Sequence, residues 1–184
     1  IDGEFIFYSP PGTTQAAVIF RGDENSACSL IGFKINGPIY GFDPTVFPGG
    51  VVHSQATIAH CILEGVPTLC GTIIYGFDGK ISNCIIGPAR SVRQCVVVSP
   101  AIVQCHGTIL NCTIYVGEIE VGVESSISIV NSIIRCDWQF GKTVKLRSGA
   151  TLNVMYTNLE NGQQGIELAD SNCIVNWGPG NFDE

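Results

Sequence analysis

The sequence predicts an all-β solenoid, a right-handed parallel β-helix of about seven coils folded as one domain over residues 1–184. Three observations carry that expectation. A short β-branched triplet recurs along the chain, with its centre at residues 19, 52, 74, 97, 120, 145 and 167. A second motif, an apolar pair followed by a polar residue, a small residue and another apolar pair, keeps step with it. The composition fits as well: 45% of residues are hydrophobic, 14% are charged and 22 are glycine, a mix suited to many short strands joined by tight turns. Leaving one long interval aside, the triplet repeats about every 23 residues, the length of one coil of such a solenoid.

The elements follow in chain order. Val18-Ile19-Phe20 is the first triplet, and Leu30-Ile31-Gly32-Phe33-Lys34-Ile35 is a weak first copy of the second motif. A Pro/Gly/aromatic stretch at 38–50 then lengthens the interval, and it reads as a loop insertion presenting Tyr40, Phe42 and Phe47. Val51-Val52-His53 resumes the triplet, and Ile58-Ala59-His60-Cys61-Ile62-Leu63 is the first strong copy of the second motif. Ile73-Ile74-Tyr75 pairs with Ile81-Ser82-Asn83-Cys84-Ile85-Ile86 in the next repeat. Val96-Val97-Val98 precedes Ile109-Leu110-Asn111-Cys112-Thr113-Ile114, and Ile119-Glu120-Val121 precedes Ile129-Val130-Asn131-Ser132-Ile133-Ile134. The last triplets are Val144-Lys145-Leu146 and Ile166-Glu167-Leu168, with Val154-Met155-Tyr156-Thr157-Asn158-Leu159 between them.

Stacking turns these copies into columns, because parallel strands of successive coils lie about 4.8 Å apart. The Ile, Leu and Val columns fill the interior. His60, Asn83, Asn111 and Asn131 are expected to form a structural ladder at a bend, where stacked amides bond one another and nearby backbone groups. Cys61, Cys84 and Cys112, continued by Ser132 and Thr157, occupy the tight inner corner as small side chains. A disulfide within that column, or between Cys70 and Cys95, is open on spacing alone. The outward triplet column is expected to read Ile19, Val52, Ile74 and Val97, then Glu120, Lys145 and Glu167. That is an apolar stripe turning into an alternating charge ladder, and an exposed apolar stripe is usually covered by something. The aromatic insertion is one candidate cover, and a partner is the other.

The closing stretch Asn161-Gly162-Gln163-Gln164-Gly165-Ile166, with Cys173-Ile174-Val175-Asn176-Trp177-Gly178-Pro179-Gly180-Asn181-Phe182-Asp183, resembles the final coils of parallel β-helix repeat proteins of environmental bacteria. The opening Ile1-Asp2-Gly3 and Phe20-Arg21-Gly22-Asp23-Glu24-Asn25 look like that family's first coils, and the Asn-Cys-Thr-Ile and Asn-Cys-Ile-Ile copies like its middle ones. The resemblance implies a solenoid in a secreted or surface protein, extracellular or on the cell surface. It brings no catalytic residue with it.

The remaining residues exclude several function classes. The net charge is −7 and only 9 residues are Lys or Arg, so the chain lacks the basic face that nucleic acid requires. No apolar run is long enough to span a membrane. The 7 Asp, at 2, 23, 43, 78, 137, 170 and 183, are scattered rather than paired as a glycosidase or a calcium-dependent lyase needs. His53 and His106 have no recognisable nucleophile beside them. Neighbouring pairs such as His60-Cys61 point their side chains apart, so neither a metal nor a cofactor site is expected. Trp138 and Trp177 are ordinary packing residues that also suit sugar stacking. The expected function is therefore an extracellular structural or adhesive module without catalysis, self-associating head to tail or contacting a cell surface or carbohydrate. Neither end shows a capping helix, so flanking sequence or a second copy is expected to cover it, and seven coils span roughly 34 Å along the axis. A polysaccharide lyase, glycoside hydrolase or carbohydrate-binding module is the alternative.

Overall fold

The computed structural model describes residues 18–19, 25–36, 39–40, 55–65, 74–75, 78–88, 102–103, 106–115, 119–135 and 142–182. These residues form three sheets whose neighbouring strands are all parallel, each strand pairing with its counterpart one coil away. The chain is thus an all-β parallel solenoid with almost no helix; among the described residues the exception is a 3-10 turn at Gly162–Gly165. Among the described residues no helix is long and apolar enough to cross a membrane.

The first sheet stacks Val18–Ile19, Ile39–Tyr40, Ile74–Tyr75, Ile102–Val103, Ile119–Val121, Val144–Leu146 and Ile166–Leu168. The second runs from Ser29–Ile31 through Thr57–Ala59, Lys80–Ser82, Gly107–Leu110, Ser126–Val130 and Thr151–Met155 to Ile174–Trp177. The third holds six strands, from Lys34–Asn36 to Asn158–Leu159. Coils with all three strands are therefore fewer than the seven expected. The repeat is also longer than expected: from Lys80 to its equivalent Asn176 the chain makes about four turns of about 25 residues each.

Alternation explains why these segments are strands. In Ser126–Val130 and Thr151–Met155 every second side chain is buried and the others are partly or fully exposed, the period of a half-buried strand. The inward residues make one core cluster. Leu30, Ile58, Ile81, Ile109, Ile129 and Val154 stack along the second sheet, and Ile35, Leu63, Ile86, Ile114, Ile134 and Leu159 face them from the third. Each fully buried Ile contributes about 1.5–3 kcal/mol by leaving water.

Register corrects the outward stripe. Ile74 pairs with Ile102, which pairs with Ile119; Ile74 is 0% exposed, so it belongs to the interior column. The column containing Glu120, Lys145 and Glu167 continues through Ile19, Tyr40, Tyr75 and Val103. A one-residue slip moves every side chain to the other face, and the triplet at 73–75 was centred one residue early. In this sheet Ile39–Tyr40 and Ile102–Val103 are the strands beside Ile74–Tyr75, while the triplets at 51–53 and 96–98 lie outside the described residues. Val52 and Val97 lie outside the described residues. So do Phe42 and Phe47, whereas Tyr40, expected in a loop, sits in a strand.

Candidate functional site

The chemistry-bearing side chains gather at the two bends flanking the second sheet. On leaving that sheet, each coil turns through two residues, as in Asn83-Cys84 and Asn111-Cys112, before the third sheet begins. The first of the two holds the left-handed region: φ is 81° at Gly32, 54° at His60, 53° at Asn83, 54° at Asn111, 49° at Asn131 and 52° at Tyr156. Asn tolerates this region better than other non-glycine residues, which accounts for its recurrence here. The amides then bond along the axis, Asn131 Nδ2 donating to Asn111 Oδ1 at 2.8 Å and Asn111 Nδ2 to Asn83 Oδ1 at 3.2 Å. His60 shares the column and its backbone conformation.

From Cys61 onward the second residue of the bend points inward, whereas Phe33 in the first described bend is exposed. Cys61, Cys84 and Cys112 are 1–2% exposed, and all three are free thiols. Each donates to the carbonyl two residues back: Cys61 Sγ to Ala59 O at 3.2 Å, Cys84 Sγ to Ser82 O at 3.2 Å, and Cys112 Sγ to Leu110 O at 3.3 Å. Ser132 and Thr157 repeat the pattern with hydroxyls, both at 2.9 Å. The hydroxyls also accept from the coil before, Cys112 N donating to Ser132 Oγ at 3.2 Å and Ser132 N to Thr157 Oγ1 at 3.4 Å. Burial pushes the Cys61 thiol above its usual value. The Cys84 thiol is pushed up as well, first by its hydrogen bond with the Cys112 thiol and then by burial. Cys70 and Cys95 lie outside the described residues.

Three coils meet at the other bend. His106 Nε2 lies 3.0 Å from Ser125 Oγ and 3.9 Å from Asp78 Oδ1. No family model, curated protein or solved structure matches the chain. The role of this Ser, His and Asp therefore rests on geometry. The 3%-exposed Ser125 hydroxyl lies within hydrogen-bond distance of both Val123 O, at 3.1 Å, and His106 Nε2. A nucleophilic serine needs its hydroxyl at one imidazole nitrogen and the carboxylate at the other. Here hydroxyl and carboxylate both approach Nε2, an arrangement that links rungs. Sequence reading missed Ser125 as a neighbour of His106, because this bend varies in length and its alignment is not written in the repeat.

The charged column is paired, although not as expected. Arg147 Nη2 donates to Glu120 Oε2 at 2.8 Å, while Lys145 Nζ reaches Glu167 Oε1 at 3.3 Å. Glu120 was expected to pair with Lys145, its neighbour in register. At the turn before the last strand, Asp170 accepts from Ser148 Oγ at 2.5 Å and from Asn172 N at 2.9 Å. These bonds, the Ser148 one first, hold its carboxyl below the usual value. Among the described residues no three His, Cys, Asp or Glu side chains converge on one point.

Proposed function

We propose that this chain is an extracellular structural or adhesive module, a right-handed β-helical rod without catalysis of its own, whose copies stack head to tail. One observation carries the reading: the polar side chains at the bends are bonded from coil to coil, Asn to Asn, backbone amide to hydroxyl, and His106 to Ser125. Side chains so engaged hold a rod together rather than meet a substrate. The resemblance to bacterial surface solenoids supports the location, and the general right-handedness of parallel crossovers supports the winding sense. Stacking is supported by the strand Ile174–Trp177, which among the described residues has a neighbour on one side only. A copy docked there extends both its backbone ladder and the side-chain ladder in which Asn176 Nδ2 donates to Asn153 Oδ1 at 2.8 Å.

Sedimentation and electron microscopy over a range of concentrations test the stacking, and binding to cell-wall preparations tests the adhesive role. Concentration-dependent linear particles and binding without glycan breakdown are expected. Release of reducing ends, or of unsaturated uronates with calcium present, overturns the non-catalytic reading; particles of constant single-chain mass overturn the stacking.

A further inference from the structure

The thiol column has a property that packing alone does not require. Cys61, Cys84 and Cys112 follow one another on three successive coils at equivalent positions, since Ile62 pairs with Ile85 and Ile85 with Thr113 directly after them. Neighbouring coils lie about 4.8 Å apart. A linear link through one metal ion needs two sulfurs roughly 4.6 Å apart, twice a metal–thiolate bond of about 2.3 Å. We propose that this column binds soft monovalent cations with filled d shells, copper(I) or silver(I), two per chain, as linear sulfur–metal–sulfur links between adjacent coils.

The first link joins Cys61 to Cys84 and the second joins Cys84 to Cys112, so Cys84 bridges both ions. Three S–H bonds are lost and three protons leave. Four metal–sulfur bonds form, and no electron is transferred. Thiolates select such ions over hard cations. A site with two ligands per ion also agrees with the absence, among the described residues, of three ligands round one point.

Losing the thiol protons leaves no carbonyl orphaned. Ala59 O also accepts from Gly32 N at 3.1 Å, Ser82 O from His60 N at 3.0 Å, and Leu110 O from Asn83 N at 3.0 Å. The fold thus keeps its backbone pairing when the sulfurs change partner. The sulfur run is bounded as well. The next positions of the column are Ser132 and Thr157, hydroxyls that hold such ions poorly. Burial of the thiols makes uptake compete with the proton, so loading weakens as pH falls.

The same column supplies a gentle test. Ser132 already occupies an equivalent position, so Cys→Ser substitutions suit the bend. The reduced full chain is incubated with silver(I), challenged with excess glutathione, and weighed by native mass spectrometry, with circular dichroism to confirm the β-fold. The chain has 9 Cys, so ions held by single exposed thiols must be stripped, and the glutathione does this. Wild type is expected to retain two ions, Cys61→Ser and Cys112→Ser one each, Cys84→Ser none, and Cys173→Ser two. Retention of no ion by wild type, or of equal numbers by wild type and Cys84→Ser, overturns the proposal. If Cys84→Ser fails to fold, the counts for Cys61→Ser and Cys112→Ser decide it: one ion each sustains the column, and two or none refutes it.

Discussion

Each coil bends once on entering the second sheet and once on leaving it. The leaving bend has two residues in every described coil, a left-handed residue and then, from Cys61 onward, an inward one, and Asn83, Asn111 and Asn131 bond along the axis. The entering bend has four residues at Gly122–Ser125 and at Arg147–Ala150, and five at Ala169–Cys173. The two four-residue bends close alike on a left-handed third residue, Glu124 at φ 54° and Gly149 at φ 68°, whereas in the five-residue bend the Asp170 side chain accepts from Asn172 N. A bend that recurs identically is held by its neighbours along the axis. A bend that varies is held by its own turn bonds, by close backbone approach and by coil-to-coil bonds that differ from rung to rung, His106 with Ser125 and Ser148 with Asp170.

Glycine substitution separates the two bends most sharply. At Gly107, on the entering side, φ is +92° and an added Cβ would lie 2.3 Å from Gly79 O, whereas at Gly32, on the leaving side, an added Cβ meets nothing within 4 Å. Gly107→Ala is expected to cost about 4 kcal/mol or more, or to abolish cooperative melting, while Gly32→Ala costs only the left-handed strain of about 1–2 kcal/mol. Chemical denaturation of the two variants compares them directly, and equal losses would remove the contrast.

The ladder comes next. Asn111→Ala forfeits left-handed tolerance and two amide bonds, a loss of about 2–3 kcal/mol. Asn111→Gly keeps the backbone freedom, so it should recover roughly half of that in the same melt. On the entering bend, Ser125→Ala removes the hydroxyl hydrogen-bonded with His106, with an expected loss of about 1–2 kcal/mol.

The smallest expected effect is a pH slope. The Cys61 thiol is raised above its ordinary 9.0 in the folded chain, first by burial. Its contribution is fully present below pH 9 and is lost as pH rises toward the folded value, because the unfolded thiol ionises first. Melting temperature should therefore fall faster above pH 9 in wild type than in Cys61→Ser, and parallel curves would show that this thiol does not titrate this way.

The contrast also explains what the sequence made legible. The Asn-Cys bend could be read directly, because constant length keeps its two residues in phase and the left-handed conformation selects Asn. The core columns of the second and third sheets were legible for the same reason. The first sheet was not. Its strands are reached through connections of changing length, so Ile39–Tyr40 and Ile102–Val103 were overlooked and Ile74 was assigned to the wrong face. The contact between His106 and Ser125 depends on how two entering bends align, and no periodicity records that. The Arg147–Glu120 ion pair was hidden differently, since it crosses from one column to the next.

Trp177 closes the interior column that begins at Leu30 and otherwise holds only Ile and Val. Beside it, Asn181 ends the thiol–hydroxyl column: its amide donates to Val154 O at 2.9 Å and to Gly178 O at 3.0 Å, and its oxygen accepts from Thr157 N at 3.0 Å. A wide aromatic and a fully engaged amide thus stand on the same rung of two columns that are otherwise aliphatic and thiol or hydroxyl. That rung is marked apart from those before it, and the mark gives the rod a direction.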